Sequence, residues 1–115
     1  MFKEKKSPRL ILLFLVIFIP FFSLTAGADD VKKIYEKKCA SCHGKDGKGN
    51  PSLVKMFKTQ LSLLDLIDKE TQDKTDEDLI LITSKGIKNK MPAFKAELKE
   101  EEIKDVIAYI RSLPK

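Results

Sequence analysis

A chain of 115 residues has room for a single domain. Two cysteines, one histidine and no tryptophan exclude a disulfide-rich scaffold and a zinc site built from paired Cys and His ligands. The formal net charge of +5 invites a nucleic-acid reading, but residues 1–28 hold four basic side chains and one acidic one, and the remaining 18 basic and 16 acidic residues leave only +2. Nucleic acid is therefore excluded as a partner.

The N-terminus has three parts. Lys3, Lys5, Lys6 and Arg9 form a basic start, residues 10–19 a dense apolar run, and Ala26-Gly27-Ala28 a small-residue end at the spacing a signal peptidase reads. This order predicts a secretory signal over residues 1–28, a mature domain over residues 29–115 and a periplasmic location. The competing reading is an uncleaved membrane anchor, because residues 10–28 carry no charge and 19 residues just cross a bilayer as a helix. Pro20 interrupts that run, and Ser23, Thr25 and Gly27 dilute its second half. Cleavage is the favoured reading.

The mature 87 residues are few for a self-sufficient core. Domains of this size usually need a staple, and two cysteines three apart cannot tie distant segments together. A flat apolar macrocycle would fill the centre. Asp29 and Asp30 begin a predicted helix that runs through Ile34 and Tyr35 into Cys39, with acidic residues at its positive end. The run from Gly44 to Pro51 is turn-forming and ends it. Residues 52–70 mix leucines with Ser and Asp, a pattern that suggests short helices without clear boundaries. Thr75 with Asp76, Glu77 and Asp78 reads as an N-cap and acidic first turn, and Gly86 as the stop of that helix. In the last helix Ile103, Val106, Ile107, Ile110 and Leu113 recur at helical spacing behind Glu100, Glu101 and Glu102. Leu98 and Ile103 would form a hydrophobic staple around Lys99 as cap, although lysine is a poor cap residue. Alternating strand patterns are absent, so the fold class is all-α.

Cys39, Cys42 and His43 stand at positions i, i+3 and i+4, which share one face of a helix. Two thiols and an imidazole thus converge on one object, and Cys-x-x-Cys-His is the attachment signature of c-type haem. Cys39 and Cys42 would form the thioethers and His43 would be an axial iron ligand. A thioredoxin-like dithiol would need a βαβ pattern, which is missing. A disulfide between Cys39 and Cys42 would constrain very little. With no second histidine, the other axial position falls to Met, Lys, water or nothing. Met91 lies in Lys90-Met91-Pro92-Ala93-Phe94, a loop held between two predicted helices, whereas Met56 lies in an apolar stretch where methionine more often packs a core. Met91 is favoured.

Cys39-Ala40-Ser41-Cys42-His43-Gly44, Met91-Pro92-Ala93-Phe94 and Asp105-Val106-Ile107-Ala108-Tyr109-Ile110 together resemble class I cytochrome c, nearest to the small bacterial monohaem proteins. The resemblance spans the mature chain. It implies a cytochrome c fold of short helices around one covalent haem c, with the first and last helices crossing at the haem edge. It implies that Tyr35 packs against Val106 and Tyr109 there. Val31 stands where the family has glycine, which implies a wider crossing. Pro51 matches the proline whose carbonyl accepts a hydrogen bond from the proximal imidazole; otherwise it is an ordinary loop proline.

An iron with both axial positions filled by protein has no site for substrate, so the expected role is electron transfer between redox partners by a monomeric carrier, not an enzyme. The alternatives are a membrane-anchored haem subunit of a respiratory complex and a sensor or enzyme with an open iron. Lys37, Lys38, Lys45 and Lys48 flank the attachment motif, and Lys85, Lys88, Lys90 and Lys95 flank the Met91 loop. Asp65, Asp68, Glu70, Asp73, Asp76, Glu77 and Asp78 gather between them. The lysines would steer the protein to acidic partner surfaces; equally, interspersed charge serves solubility.

Overall fold

In the computed structural model, which describes residues 17–20 and 27–115, the chain forms six α-helices and one 3₁₀ turn. They are α1 (Ala28–Lys38), α2 (Ala40–His43), α3 (Pro51–Phe57), the 3₁₀ turn (Leu61–Leu63), α4 (Lys69–Gln72), α5 (Asp76–Lys85) and α6 (Glu100–Ser112). Among the described residues there is no β-strand, only an isolated bridge between Ile87 and Met91. The fold is all-α, as the patterning predicts. Most of the expected signal segment lies outside the described residues.

Local chemistry sets the helix ends. α1 begins with Asp29 and Asp30 in its first turn and ends with Lys37 and Lys38 in its last, the arrangement the helix dipole favours. Thr75 caps α5 through its hydroxyl, which accepts the Asp78 amide at 3.1 Å. Gly86 closes the same helix with φ +68°. Lys99 caps α6 despite its side chain: its backbone N–H donates to the Glu102 carboxylate at 2.7 Å. Leu98 and Ile103, one residue before that cap and four after it, are buried in one cluster with Phe94. The expected staple is formed.

The main core lies where α1 meets α6. Val31, Tyr35 and Cys39 pack with Val106, Ile107, Ile110 and Leu113, and Leu79 of α5 joins them. Tyr35 and Val106 are almost wholly buried, at 0% and 1% exposure. The Tyr35 and Tyr109 rings lie 5.2 Å apart and tilted by 50°, within the range of favourable aromatic pairs. Val31 is buried in the same cluster, so the crossing is made with a branched side chain in place of the family's glycine.

The acidic middle segment serves mainly as local scaffolding. The Asp65 carboxylate accepts the Ile67 and Asp68 amides, and Asp68 caps α4 through Thr71. Asp73 pairs with Lys69, and Glu70 with Lys74 at 3.6 Å. Arg111, near the end of α6, binds three parts of this segment at once. Its guanidinium donates to the Gln72 carbonyl at 2.9 Å, the Lys74 carbonyl at 2.6 Å and the Asp76 carboxylate at 2.9 Å.

Replacing Arg111 by Met would leave two carbonyls and a carboxylate without this donor, at a cost of about 1–3 kcal/mol. We expect a lower denaturant midpoint with the visible spectrum unchanged; an unaltered midpoint would show that the clamp contributes nothing.

Candidate functional site

Cys39 ends α1 and begins α2, and the chain hardly leaves the helical path between them. The Cys39 amide donates to Tyr35 O at 2.8 Å, and the His43 amide to Cys39 O at 3.0 Å. The i, i+3, i+4 spacing therefore acts as it would on one helix. Gly44 (φ +77°) then turns the chain back. The Gly49 amide binds His43 O at 2.7 Å, the Asn50 amide binds Cys42 O at 3.0 Å, and the Asn50 side chain binds Ser41 O at 2.8 Å. The turn-forming run thus satisfies the carbonyls that the four-residue α2 leaves open. The Tyr35 hydroxyl donates to Gly44 O at 2.7 Å, which joins the helix crossing to this turn.

His43 is fixed by its own ring. Its Nδ1 lies 2.8 Å from the carbonyl of Leu64, which only accepts, so Nδ1 carries the proton and Nε2 keeps a lone pair. Burial lowers the pKa of His43, and the Leu64 hydrogen bond works against that shift. The acceptor is Leu64, not Pro51. Pro51 instead opens α3 as its first residue and is exposed, a position that suits its fixed φ and missing N–H. A backbone carbonyl has no side-chain signature, so the sequence offers no signal for Leu64.

One cavity of about 270 Å³ brings the expected ligands together. Cys39, His43 and Met91 line it, with Leu63, Leu66, Leu79, Ile82, Ile87, Val106, Ile107 and Ile110 as its apolar wall. Ser62, Thr83, Asp68, Glu70, Thr71 and Lys74 add polar lining. Cys42 is half-buried and is not part of the lining. Met56 is also absent from the lining and is 70% exposed on α3, so it neither faces the cavity nor packs the core as its apolar neighbours suggest. A seven-residue helix with one face open to solvent leaves it there.

The chain matches the family described as cytochrome C oxidase, cbb3-type, subunit III, over residues 26–110. It is 39% identical to cytochrome c6 of Nostoc sp. over 109 residues, which is 92% of this chain and 91% of that protein. It is 33% identical to cytochrome c6 of Parathermosynechococcus lividus over 81 residues, 68% of this chain and 80% of that one. The chain belongs to the class I cytochromes c. As a cytochrome it carries covalent haem c and transfers electrons. The cbb3-type cytochrome c oxidase subunit FixP of Bradyrhizobium diazoefficiens is 32% identical over 83 residues, 71% of this chain but 26% of that protein. Among solved structures, the c-type cytochrome KustC0563 superposes with a TM-score of 0.61 at 29% identity, covering 73% of this chain and 96% of that one.

The residues present suit the haem of such a cytochrome. An imidazole nitrogen and a thioether sulfur are donors that iron accepts, and the rest of the wall is chiefly apolar. The Cys39 thiol is buried, and that burial, reinforced by Cys42, pushes its pKa up to about 11. Reactive dithiols need the opposite shift toward thiolate. Cys39 therefore lacks the activation that a redox-active thiol needs.

Proposed function

We propose that this protein is an exported single-electron carrier whose haem is attached through Cys39 and Cys42 and whose iron is closed by His43 and Met91. One observation carries the reading: Cys39, His43 and Met91 line a single apolar cavity in a chain whose only histidine is His43. When bound, haem c supplies a one-electron iron couple. The Leu64 carbonyl holds the His43 ring in the tautomer that leaves Nε2 free to ligate. Met91 offers a neutral thioether, which favours the ferrous state and a raised potential. The apolar side chains from α5 and α6 keep water away from the centre, so little rearranges as charge changes. A closed iron offers no position for a substrate, which supports a carrier rather than an enzyme.

Redox partners would approach the face that carries the Met91 loop. Residues 79–96 contain Lys85, Lys88, Lys90 and Lys95 and no acidic residue. All four lysines are exposed, as are Ile87, Pro92 and Ala93 among them. Lys38 differs, because it is paired with Glu97 at 2.6 Å and so is withdrawn from any steering role. The apolar centre with a basic surround suits an acidic partner surface.

The N-terminal pattern supports export, with residues 1–28 removed. A second reading keeps that segment as an anchor to an oxidase complex. It draws on the match to a cbb3-type oxidase subunit family and on the similarity to FixP. Among the described residues no helix is long and apolar enough to cross a membrane.

Mass spectrometry of the native protein should give the chain from Asp29 plus one haem; a mass that retains residues 1–28 favours the anchored subunit. Met91→Ala should abolish the weak near-infrared-edge band of Met-ligated ferric haem and let carbon monoxide bind the ferrous protein, while Met56→Ala keeps the band. The reverse pattern would overturn the ligand assignment. Electron transfer to an acidic redox partner should slow as ionic strength rises, and a flat response would rule out steering by the lysines.

A further inference from the structure

We propose that Gly86 is the positioning residue of Met91: the backbone of residues 91–93 lies so close over its Cα that any side chain there would displace the loop. The inference rests on the assignment of Met91 as an iron ligand. Gly86 has φ +68° and ψ −175°, a backbone region that is essentially restricted to glycine. The packing adds a second demand. A Cβ at Gly86 would lie 2.5 Å from Met91 O, 2.7 Å from Ala93 N and 2.7 Å from Pro92 C. All three are backbone atoms, so no side-chain rotation relieves the overlap.

Gly47 makes the contrast clear. It too has positive φ, but the nearest atom to its added Cβ is Leu113 Cδ1, at 2.9 Å, the far end of a flexible side chain.

The loop has little freedom to yield. Ile87 and Met91 exchange two backbone hydrogen bonds, each 2.9 Å, around a turn in which Asn89 has φ +61°. Farther along, the Phe94 amide donates to Thr83 O and the Lys95 amide to Ser84 O, both at 3.1 Å, and Phe94 is buried. Residues 86–95 therefore fold back onto the last turn of α5, with Gly86 as the floor beneath Met91. A helix stop alone would not require this contact. The floor sets how deep the Met91 backbone sits, and through it where the thioether reaches in the cavity that His43 also lines.

The test compares the ferric Met-ligation band and the reduction potential of the haem-loaded protein in three variants. Gly86→Ala should keep covalent haem yet lose the band and lower the potential. Leu113→Ala truncates a buried side chain outside the cavity lining and should lower thermal stability while the band stays. A full band and unchanged potential in Gly86→Ala would overturn the proposal, provided that Met91→Ala abolishes the band. A band that survives in Met91→Ala would instead refute the ligand assignment. Should Gly86→Ala not accumulate, amide exchange in the unmodified holoprotein decides: Ile87 and Met91 protected like α5 supports a seated loop, and exchange at the rate of an open turn overturns it.

Discussion

The contact between α1 and α6 is the constraint on which the rest of the structure hangs. Tyr35 and Val106 are buried at that crossing, and the attachment motif follows directly from the end of α1. Wherever α6 lies, Cys39 must lie beside it. Val106, Ile107 and Ile110 then serve twice, packing against α1 and forming part of the cavity wall. Tyr35 links this crossing to the proximal turn through its bond to Gly44 O. A small chain without tryptophan achieves order by making one helix face both core and binding surface.

Two short pieces of irregular backbone complete the site. The segment through the 3₁₀ turn brings the Leu64 carbonyl to His43, and the loop after Gly86 brings Met91 to the same cavity. Both are tied to glycines with positive φ. Leu66 donates its amide to Gly47 O at 2.7 Å, and Leu61 and Leu64 crowd Gly49 closely enough that a Cβ there would lie 2.8 Å and 3.1 Å from them. Close approach of this kind, by the Leu61 and Leu64 side chains at Gly49 and by backbone at Gly86, leaves no room for a larger residue.

Much of this was legible in the residues themselves. Thr75, Gly86 and the Leu98–Ile103 staple mark helix ends by local chemistry, and local chemistry is what the chain encodes most directly. The apolar face of α6 was equally plain, since its period is that of a helix. The Cys39, Cys42 and His43 spacing and the position of Met91 between two helices pointed to the site. Residues 52–70 were not readable in the same way. Their boundaries depend on long-range bonds, Gly47 to Leu66 and His43 to Leu64, which no short window contains. Pro51 was a candidate only through the family resemblance, and the carbonyl that binds the imidazole is that of Leu64. Met56 misled because apolar neighbours imply burial only when another element covers them. Arg111 reads as an ordinary last-turn cation, and its three partners, 35 to 39 residues away, appear only once the chain has folded.

The reach of α6 bears on how the protein is assembled. A chain made from its N-terminus presents Cys39, Cys42 and His43 long before residues 100–112 exist. Until α6 docks, the Cys39 cluster lacks Val106, Ile107, Ile110 and Leu113, and the cavity lacks the part of its wall that three of them supply. Contacts across such sequence separations are costly to close and form late. The side of Cys39 that α6 covers therefore stays open until the last helix docks.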